Sequence, residues 1–359
     1  MKPCRVLTAG IIFICTLFFV IACYSFKTLS SNQNLETTNI ESVDLANHSI
    51  RFGCSYDWAG WWPWAVAQEQ QLFETNGVNV ELQWFDDYYE ALDALAQGIL
   101  DANCQVFNDT VAKADQAING EVVVLVTDNS DGNDKIVATD AIEAVTDLVG
   151  HRVGVEKGKL TDFLLTLALE DSGISRDAIN IRYLNTAVGA IAFVAGELEA
   201  IVAWQPDWLT ALRRPGSHEL LSSHDLPGAI PQVVAVSQRA ITEKGAEIQA
   251  LVNTWFDTLK FIRDYPEQSK KIMLRRSTLS DINYQRFLQG VRLFSASENI
   301  TAFSSGETLE HLSFMAQKAA DFLVDAREIS QSPNLAGLLN DEFVSRYKSK
   351  TVRALGLVP

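Results

Sequence analysis

Residues 50–85 read IRFGCSYDWAGWWPWAVAQEQQLFETNGVNVELQWF and contain a complete strand–helix–strand unit. Residues 50–55 are predicted to form a strand. Pro63 is predicted to begin the helix, because proline is favoured at the first helical position. Gly77 is expected to end it as a left-handed cap, and residues 78–85 form the next strand. A helix between two strands predicts a βαβ unit and a parallel sheet.

The same alternation of strands and helices continues to residue 237. Short β-branched runs are separated by helical segments of about 12 residues, which predicts further βαβ units. From residue 241 onward the chain is predicted to be helical. We therefore predict an α/β fold with two lobes, each a parallel-type sheet flanked by helices, and a helical C-terminal part.

The predicted domain organisation has two crossings of the chain between the lobes. Lobe 1 is expected over residues 49–135 and, as its helical second part, residues 236–346. Lobe 2 is expected over residues 136–235, and residues 347–359 form a C-terminal tail. Two α/β lobes joined in this way form a cleft that a hinge can close on a ligand.

The N-terminal segment has the features of a secretory signal peptide over residues 1–22. Lys2 and Arg5 precede an apolar run, and Cys23 directly follows a small residue, as in a bacterial lipobox. We expect cleavage before Cys23 and lipidation of its sulfur, followed by a flexible linker over residues 23–48. The alternative is an uncleaved membrane anchor, because a run of about 17 residues is at the lower limit for spanning a bilayer.

The net charge and the cysteines narrow the class of protein. The formal net charge is −16, which argues against nucleic-acid binding, since that requires Lys and Arg to neutralise phosphates.

Cys54 and Cys104 are interpreted as two buried thiols, with a disulfide as the alternative; a bond between adjacent strands is often geometrically poor. The cysteine spacing does not indicate zinc, and no metal or cofactor is predicted.

Ligands of open α/β sheets bind beyond the carboxyl ends of the strands, so the loops there hold the candidate site. The first loop contains three tryptophans whose indoles offer flat apolar walls, and a glycine that permits close approach of a ligand. Asn108, after the third strand, is a candidate for ligand contact. Asn108 or Asp109 could also cap the next helix. The candidate ligand-binding residues of lobe 1 are Trp58, Gly60, Trp61, Trp62 and Asn108. Core packing is the alternative role of the tryptophans.

Two loops of lobe 2 complete the candidate site. Lys159 follows Gly158 at a helix start, where backbone N–H groups favour an oxyanion, and Thr161 is a candidate N-cap. A solvated turn is the alternative. Trp204, Gln205 and Asp207 are the other candidate ligand-binding residues. The Trp204 indole would offer a flat apolar surface beside the Gln205 amide, and Asp207 lies at the start of the next helix. The polar loop 127–134 offers acids to a ligand amine, or is a solvated turn.

Five segments together carry a resemblance to a known family. They are DWAGWWPWAVAQEQQLF from Asp57, FNDTVAKADQAINGE from Phe107, DNSDGNDKIVA from Asp128, VGVEKGKLTDFLL from Val153 and AWQPDWL from Ala203. Their order and spacing resemble the solute-binding proteins of ABC importers, in the nitrate, sulfonate and taurine group. The same fold is shared by thiamine-precursor binding and synthesis proteins.

The resemblance implies a type II periplasmic-binding fold, closure of the lobes on a ligand, and permease and ATPase partners. We also expect a monomer on the periplasmic side of the cell membrane, held there by the lipid that the N-terminal sequence predicts on Cys23. The implied ligand is a small organic solute such as a sulfonate or a taurine-like anion. The crowding of tryptophans between Trp58 and Trp62 raises two alternatives, a pyrimidine or thiamine precursor and an ammonium held by cation–π contact.

Two functions of other classes compete with solute binding. A pyrimidine-synthase type of enzyme resembles a chemistry that needs a histidine donor and a cysteine-rich motif, and the first-lobe loops contain neither. The sequence also contains no GxSxG, HExxH or Walker motif, so we predict that the protein is not an enzyme. A ligand sensor for a signalling partner would need the same cleft, and an adjacent receptor kinase gene would distinguish it.

Overall fold

Two β-sheets organise the part of the chain that the computed structural model describes, residues 49–277 and 279–354. The predicted signal peptide, the lipidated Cys23 and the linker lie outside these residues. In chain order the strands are β1 (Ser49–Ser55), β2 (Asn79–Phe85), β3 (Ala102–Val106), β4 (Glu121–Ser130), β5 (Lys135–Ala138), β6 (Arg152–Val155), β7 (Asn180–Tyr183), β8 (Ala200–Ala203), β9 (His218–Ser222), β10 (Pro231–Ser237) and β11 (Val291–Leu293).

The described helices flank these sheets, and none of them is long and apolar enough to cross a membrane. They are α1 (Pro63–Glu69), α2 (Leu72–Thr75), α3 (Tyr88–Ala96), α4 (Phe107–Lys113), α5 (Leu160–Asp171), α6 (Thr186–Val194), α7 (Asp207–Ala211), α8 (Gln238–Glu243), α9 (Gly245–Asp264), α10 (Pro266–Ser277), α11 (Asp281–Gln289), α12 (Ala296–Phe303), α13 (Leu312–Asp325) and α14 (Glu342–Ala354).

The opening unit has the predicted form, with one change. Pro63 lies in the first turn of α1, and Gly77 has a φ of 77°, which confirms both expectations. The single predicted helix is interrupted at Gln71, which has a φ of 55°, so that α1 and α2 are separate. Trp64 of α1 is fully buried and packs on Phe73 of α2 and Trp255 of α9.

Both sheets are mixed, whereas parallel sheets were predicted. The first sheet has the order β11-β4-β10-β3-β1-β2, and the second has the order β7-β6-β8-β5-β9. The strands β1, β2 and β3 are parallel, as are β6, β7 and β8, but β10 and β5 run antiparallel to their neighbours. The reason is that the chain passes from one sheet to the other just before β5 and again just before β10. Each of these two strands therefore begins at the edge of its sheet where the parallel strands end.

The structure also changes three predicted boundaries. β10 falls largely within the range predicted for lobe 2, but it pairs with β3 and β4 of the first sheet. β11 lies in the part that was predicted to be helical and pairs with β4. α14 continues past residue 346 to Ala354, so the first part of the predicted tail is helical, and residues 355–359 lie outside the described part. The division into lobes itself stays a prediction.

A disulfide joins two neighbouring strands of the first sheet. Cys54 lies on β1 and Cys104 on β3, both are fully buried, and their Cα atoms are 4.9 Å apart. This separation is within the normal range for disulfides. The structure therefore contradicts the interpretation of two free thiols and agrees with the alternative.

Candidate functional site

A cavity of about 320 Å³ lies where the carboxyl ends of the parallel strands of the two sheets meet. The first sheet contributes the segments after β1, β2 and β3, and the second sheet contributes those after β6 and β8. We call it the inter-sheet cavity. Its volume suits a small organic molecule. Its aromatic walls are formed by Trp58, Trp61, Tyr88, Tyr89 and Trp204.

The structure brings four of the predicted site residues together around this cavity. They are Trp58 and Trp61 from the first loop, and Lys159 and Trp204 from loops of the second sheet. They come from positions nearly 150 residues apart in the sequence. The spatial convergence is a property of the structure, whereas contact of each residue with a ligand stays a prediction.

Trp58 is held in the cavity wall by a buried carboxyl group. Its Nε1 donates to Oδ1 of Asp128 over 2.9 Å, and Thr127 Oγ1 donates to Oδ2 of the same carboxyl over 2.9 Å. Burial raises the pKa of Asp128 to about 7, and the two hydrogen bonds counteract only part of that rise. Asp128 is therefore a positioning residue for the indole, and it does not line the cavity itself.

Gly60 allows this arrangement because it has no side chain. A Cβ built on Gly60 would lie 2.3 Å from Oδ2 of Asp128, which is too close for any real contact. The glycine therefore serves close packing of the loop against Asp128, and it is not a cavity-lining residue.

The Gly60→Ala variant is expected to be less stable than the native protein by about 1 to 2 kcal/mol, because the new methyl group overpacks a site held by two hydrogen bonds. Urea unfolding followed by circular dichroism measures this difference. The Gly60→Ala change should cost less free energy of unfolding in an Asp128→Ala protein than in the native protein, because the group that the new methyl overpacks is then absent. Additive effects would contradict the stated contact.

Trp61 and Asp109 are linked through Tyr88. The Trp61 and Tyr88 rings stack with centroids 5.8 Å apart. The Tyr88 hydroxyl donates to Oδ2 of Asp109 over 2.9 Å and accepts from the backbone N–H of Val106 over 2.9 Å. Burial raises the pKa of Asp109, and the nearby positive charge of Lys159 opposes this. Tyr88 thus orients both an aromatic wall and a carboxylate of the cavity.

Lys159 reaches from the second sheet to the wall contributed by the first. Its Nζ lies 4.8 Å from the ring centroid of Tyr89, a cation–π distance. Burial raises the pKa of Glu156, while a hydrogen bond from Trp204 and the charge of Lys159 lower it. The Lys159 ammonium therefore lies over the Tyr89 ring of the first sheet, and its charge lowers the pKa of Glu156 in its own loop and of Asp109 from the first sheet.

The helix start beside Lys159 differs from the predicted oxyanion cradle. The N–H of Gly158 donates to Oδ2 of Asp162 over 3.0 Å, so the chain's own carboxylate accepts from this turn. Thr161 is in the first turn of α5 and not at its N-cap, which is Lys159. The Thr161 hydroxyl accepts from the N–H of Glu156 over 2.9 Å, and its side chain does not line the cavity.

Carboxyl groups dominate the polar lining. Beside the single Lys159, the cavity is lined by the six acids Asp57, Asp86, Asp87, Asp109, Asp134 and Glu156. Burial raises the pKa of Asp57 to about 6 and that of Asp134 to about 6. At pH 7 most molecules therefore carry several negative charges here.

Two buried polar side chains of the lining have acceptors that lack hydrogen bonds within the described residues. Asp134 and Gln232 are each 1% exposed. Neither oxygen of Asp134 meets a donor at regular geometry, although the Ser130 hydroxyl is close enough to lower its pKa in part. Oε1 of Gln232 also has no donor. Buried acceptors of this kind are normally satisfied, so a donor from a bound molecule fits both.

The remaining predicted site residues lie outside the cavity lining. Trp62 packs against Tyr284 with ring centroids 5.6 Å apart, and its Nε1 donates to a backbone carbonyl. Asn108 is buried in the first turn of α4, so neither it nor Asp109 is the N-cap, which is Val106.

Two more predicted residues, Gln205 and Asp207, do not line the cavity and bind neighbouring segments. Gln205 Nε2 donates to the backbone carbonyl of Asp57 over 2.7 Å, which ties the two sheets together at the cavity. Asp207 accepts a hydrogen bond from the hydroxyl of Thr186.

Sequence reasoning did not single out Tyr88, Tyr89 and Glu156, which line the cavity. Tyr88 and Tyr89 follow the predicted strand 78–85, and Glu156 is the last residue of the predicted strand 152–156, so a position at a strand end was the available signal. Asp134 belongs to residues 127–134, which were predicted as a polar loop and considered as a source of acids for a ligand amine. Residues 127–130 instead belong to β4. Among the described residues, no group of three or more His, Cys, Asp or Glu side chains is placed to hold a metal ion.

The chain is similar in sequence to a family model and to proteins that are named as binding proteins. The sequence model described as the NMT1-like family matches residues 48–275. A protein of Brucella abortus (strain 2308), named as a binding protein, is 23% identical over 293 residues, which cover 80% of this chain and 91% of that one.

Solved structures share the fold. The periplasmic aliphatic sulphonate binding protein SsuA from Escherichia coli superposes with a TM-score of 0.68 and 22% identity, covering 82% of this chain and 92% of that chain. The desulfurization enzyme DSZB superposes with a TM-score of 0.58 and 13% identity, covering 84% and 99%. Because binding proteins and an enzyme share this fold, function has to be argued from the site.

Proposed function

The chain belongs to the NMT1-like family, and on this premise we propose that it is the solute-binding component of an ABC importer. The inter-sheet cavity carries this proposal, because its walls come from the strand ends of both sheets. A molecule inside would contact both sheets, so binding and closure would be coupled. The relatives named as binding proteins support the same role.

The cavity residues act by binding and orientation. Trp58, Trp61 and Trp204 provide flat apolar surface, and the carboxylates and Lys159 set the polarity. Two contacts bridge the sheets beside the ligand position, Lys159 with Tyr89 and Gln205 with Asp57. Opening requires these contacts to break, and the segments between β4 and β5 and between β9 and β10 are the points of crossing. We assign no covalent step to any of these residues.

Export and anchoring are part of the proposal. The periplasmic relatives support a location outside the cytoplasm, and the N-terminal sequence favours a lipid on Cys23 as the tether. A monomer that docks on a permease, with an ATPase on the other side of the membrane, completes the arrangement. Mass spectrometry of the mature N-terminus would test the lipid.

Two ligand classes compete for the cavity. A sulfonate or taurine-like anion is suggested by the sulphonate-binding relative. A pyrimidine or thiamine precursor, or an ammonium-type ligand, is suggested by the aromatic walls. The excess of carboxyl groups over cations in the lining favours a ligand that carries positive charge.

Binding is expected to change tryptophan fluorescence, because three indoles line the cavity. We expect a small molecule to co-purify and to be released on denaturation, where mass spectrometry identifies it. Adding it back to the emptied protein should change the emission. The Trp204→Phe variant should lose part of this change, and Trp204→Ala should weaken binding about tenfold.

Trp255→Phe is the matched control, since Trp255 is fully buried and does not line the cavity. It should keep both the affinity and the change in emission. The proposed function is contradicted if no molecule is released and if fractionated metabolite extracts leave the emission unchanged.

A further inference from the structure

We propose that the inter-sheet cavity selects an organic cation whose charged nitrogen carries N–H donors, and that the Lys159 ammonium already holds part of this cation site. The inference rests on the proposed solute-binding function. It adds the chemical class of the ligand and names the residue that limits its affinity.

The balance of donors and acceptors in the lining is the first support. Three of the side-chain donors in the lining are engaged with the protein's own acids: Trp58 with Asp128, Tyr88 with Asp109, and Trp204 with Glu156. Nε1 of Trp61 has no acceptor within the described residues. A sulfonate needs several donors for its three oxygens. A charged nitrogen needs acceptors, which the carboxylates provide.

Two buried acceptors provide an independent support. Asp134 and Gln232 line the cavity, are almost fully buried, and have oxygens that meet no donor at regular geometry within the described residues. Leaving such groups unpaired costs free energy, more so for a carboxylate. N–H donors of a ligand would satisfy both oxygens, whereas the oxygens of an anion would be repelled by the carboxylate of Asp134.

The aromatic walls distinguish an organic cation from a metal ion. Indole and phenol faces stabilise an alkylammonium or an amidinium through the ring quadrupole. A bare metal ion would instead need converging oxygen or nitrogen ligands, and the described residues contain no such cluster. The combination of acids with Trp58, Trp61 and Trp204 therefore fits an organic cation.

Lys159 shows where such a cation is stabilised. Its Nζ lies over the Tyr89 ring at 4.8 Å, and its charge acts on both Asp109 and Glu156. A ligand ammonium entering the cavity would share these partners with Lys159 and be repelled by it. Removal of the Lys159 charge is therefore expected to strengthen binding of a cation.

Chemical rescue tests this inference with defined probes. Lys159→Ala removes the equivalent of n-propylammonium, so we use n-propylammonium and propane-1-sulfonate as probes of equal chain length and opposite charge. At tens of millimolar, the ammonium probe is expected to raise the Tm of Lys159→Ala by about 2 °C more than that of the native protein. The sulfonate should produce no such rise.

The neighbouring exposed lysine provides the matched control. Lys157 pairs with Glu328 over 3.0 Å and does not line the cavity, so Lys157→Ala should respond to neither probe. Equal responses of the two variants, or a larger response to the sulfonate, would overturn the inference. If Lys159→Ala does not fold, Lys159→Met is compared with the native protein by calorimetry, using benzylammonium and phenylmethanesulfonate. Tighter binding of benzylammonium to Lys159→Met supports the proposal, and its absence contradicts it.

The identity of the co-purified molecule separates this inference from the proposed function. A released sulfonate without a basic nitrogen leaves the solute-binding function intact and refutes the cation site. A released amine or amidine supports both. If nothing is released and no metabolite fraction binds, the proposed function itself fails.

Discussion

The Asp57→Asn, Asp134→Asn double variant is expected to bind the cationic ligand about a hundredfold more weakly than the native protein. Both carboxyls line the cavity, and each substitution keeps the shape of the side chain while removing its negative charge. A loss of about tenfold for each site corresponds to about 1.4 kcal/mol, which is modest for a charge pair near a partly buried site. Calorimetric titration measures the change.

The same two groups predict the pH dependence of binding. Burial raises the pKa of Asp57 and of Asp134 to about 6. A cation binds the ionised form, so its affinity should be highest above pH 6 and fall as the pH drops through 6. The double variant should lose this part of the dependence. An anionic ligand would show the opposite trend, with tighter binding at low pH.

The charged neighbours of these groups set the size of the effect. Asp87 raises the pKa of Asp57, and Lys135 lowers that of Asp134, in each case by its charge. Asp109, Glu156 and Lys159 face the same cavity and remain in the double variant. Asp140→Asn, at an exposed position outside the lining, is the control and should bind as the native protein does. Unchanged affinity of the double variant at pH 8 would contradict the electrostatic argument.

The Asp128→Asn variant is expected to be more stable than the native protein at pH 8. The difference in the free energy of unfolding between the two proteins should shift in favour of the variant by about 2 to 3 kcal/mol from pH 5 to pH 8. Burial raises the pKa of Asp128 from 3.8 to about 7. The folded state therefore keeps a proton between about pH 4 and pH 7 that the unfolded chain releases. This contribution to stability is lost as the pH rises through 7, at about 1.4 kcal/mol per pH unit over the interval.

Asparagine at this position cannot ionise, and its carbonyl oxygen can still accept from Nε1 of Trp58. Urea unfolding of both proteins at pH 5 and pH 8 measures the difference, and other titrating groups cancel because they are shared. Asp177→Asn changes an exposed carboxyl and should follow the native protein at both pH values. Parallel stability curves for Asp128→Asn and the native protein would show that Asp128 is not a buried proton-binding group.

The local units of the fold could be predicted from the sequence, because their signals are local. Pro63 and Gly77 mark the ends of the first helical segment, and hydrophobic periodicity distinguishes the strands from the helices. Strand direction within the sheets could not be predicted in the same way. β10 and β5 run antiparallel because the chain enters each sheet from the other one, which is a property of the whole path.

The first loop shows the same limit at the scale of single residues. Trp61 and Trp62 are adjacent and look alike in the sequence. Trp61 stacks on Tyr88 and lines the cavity, whereas Trp62 stacks on Tyr284, a residue more than 200 positions away. Which of two neighbouring indoles faces a ligand depends on partners that no local pattern reveals.

The sequence by itself determined the α/β class, the family and the loops that surround the site. These depend on the periodicity of hydrophobic residues, on the proline and glycine residues that begin and end helices, and on the order of the motifs. Only the tertiary structure decided the polarity of the cavity. Asp57, Asp109, Asp134 and Glu156 follow or precede four different strands, and their carboxyls meet only when both sheets are assembled. The electric field at a site depends on burial and on distance in space, and neither is written in the spacing of residues along the chain.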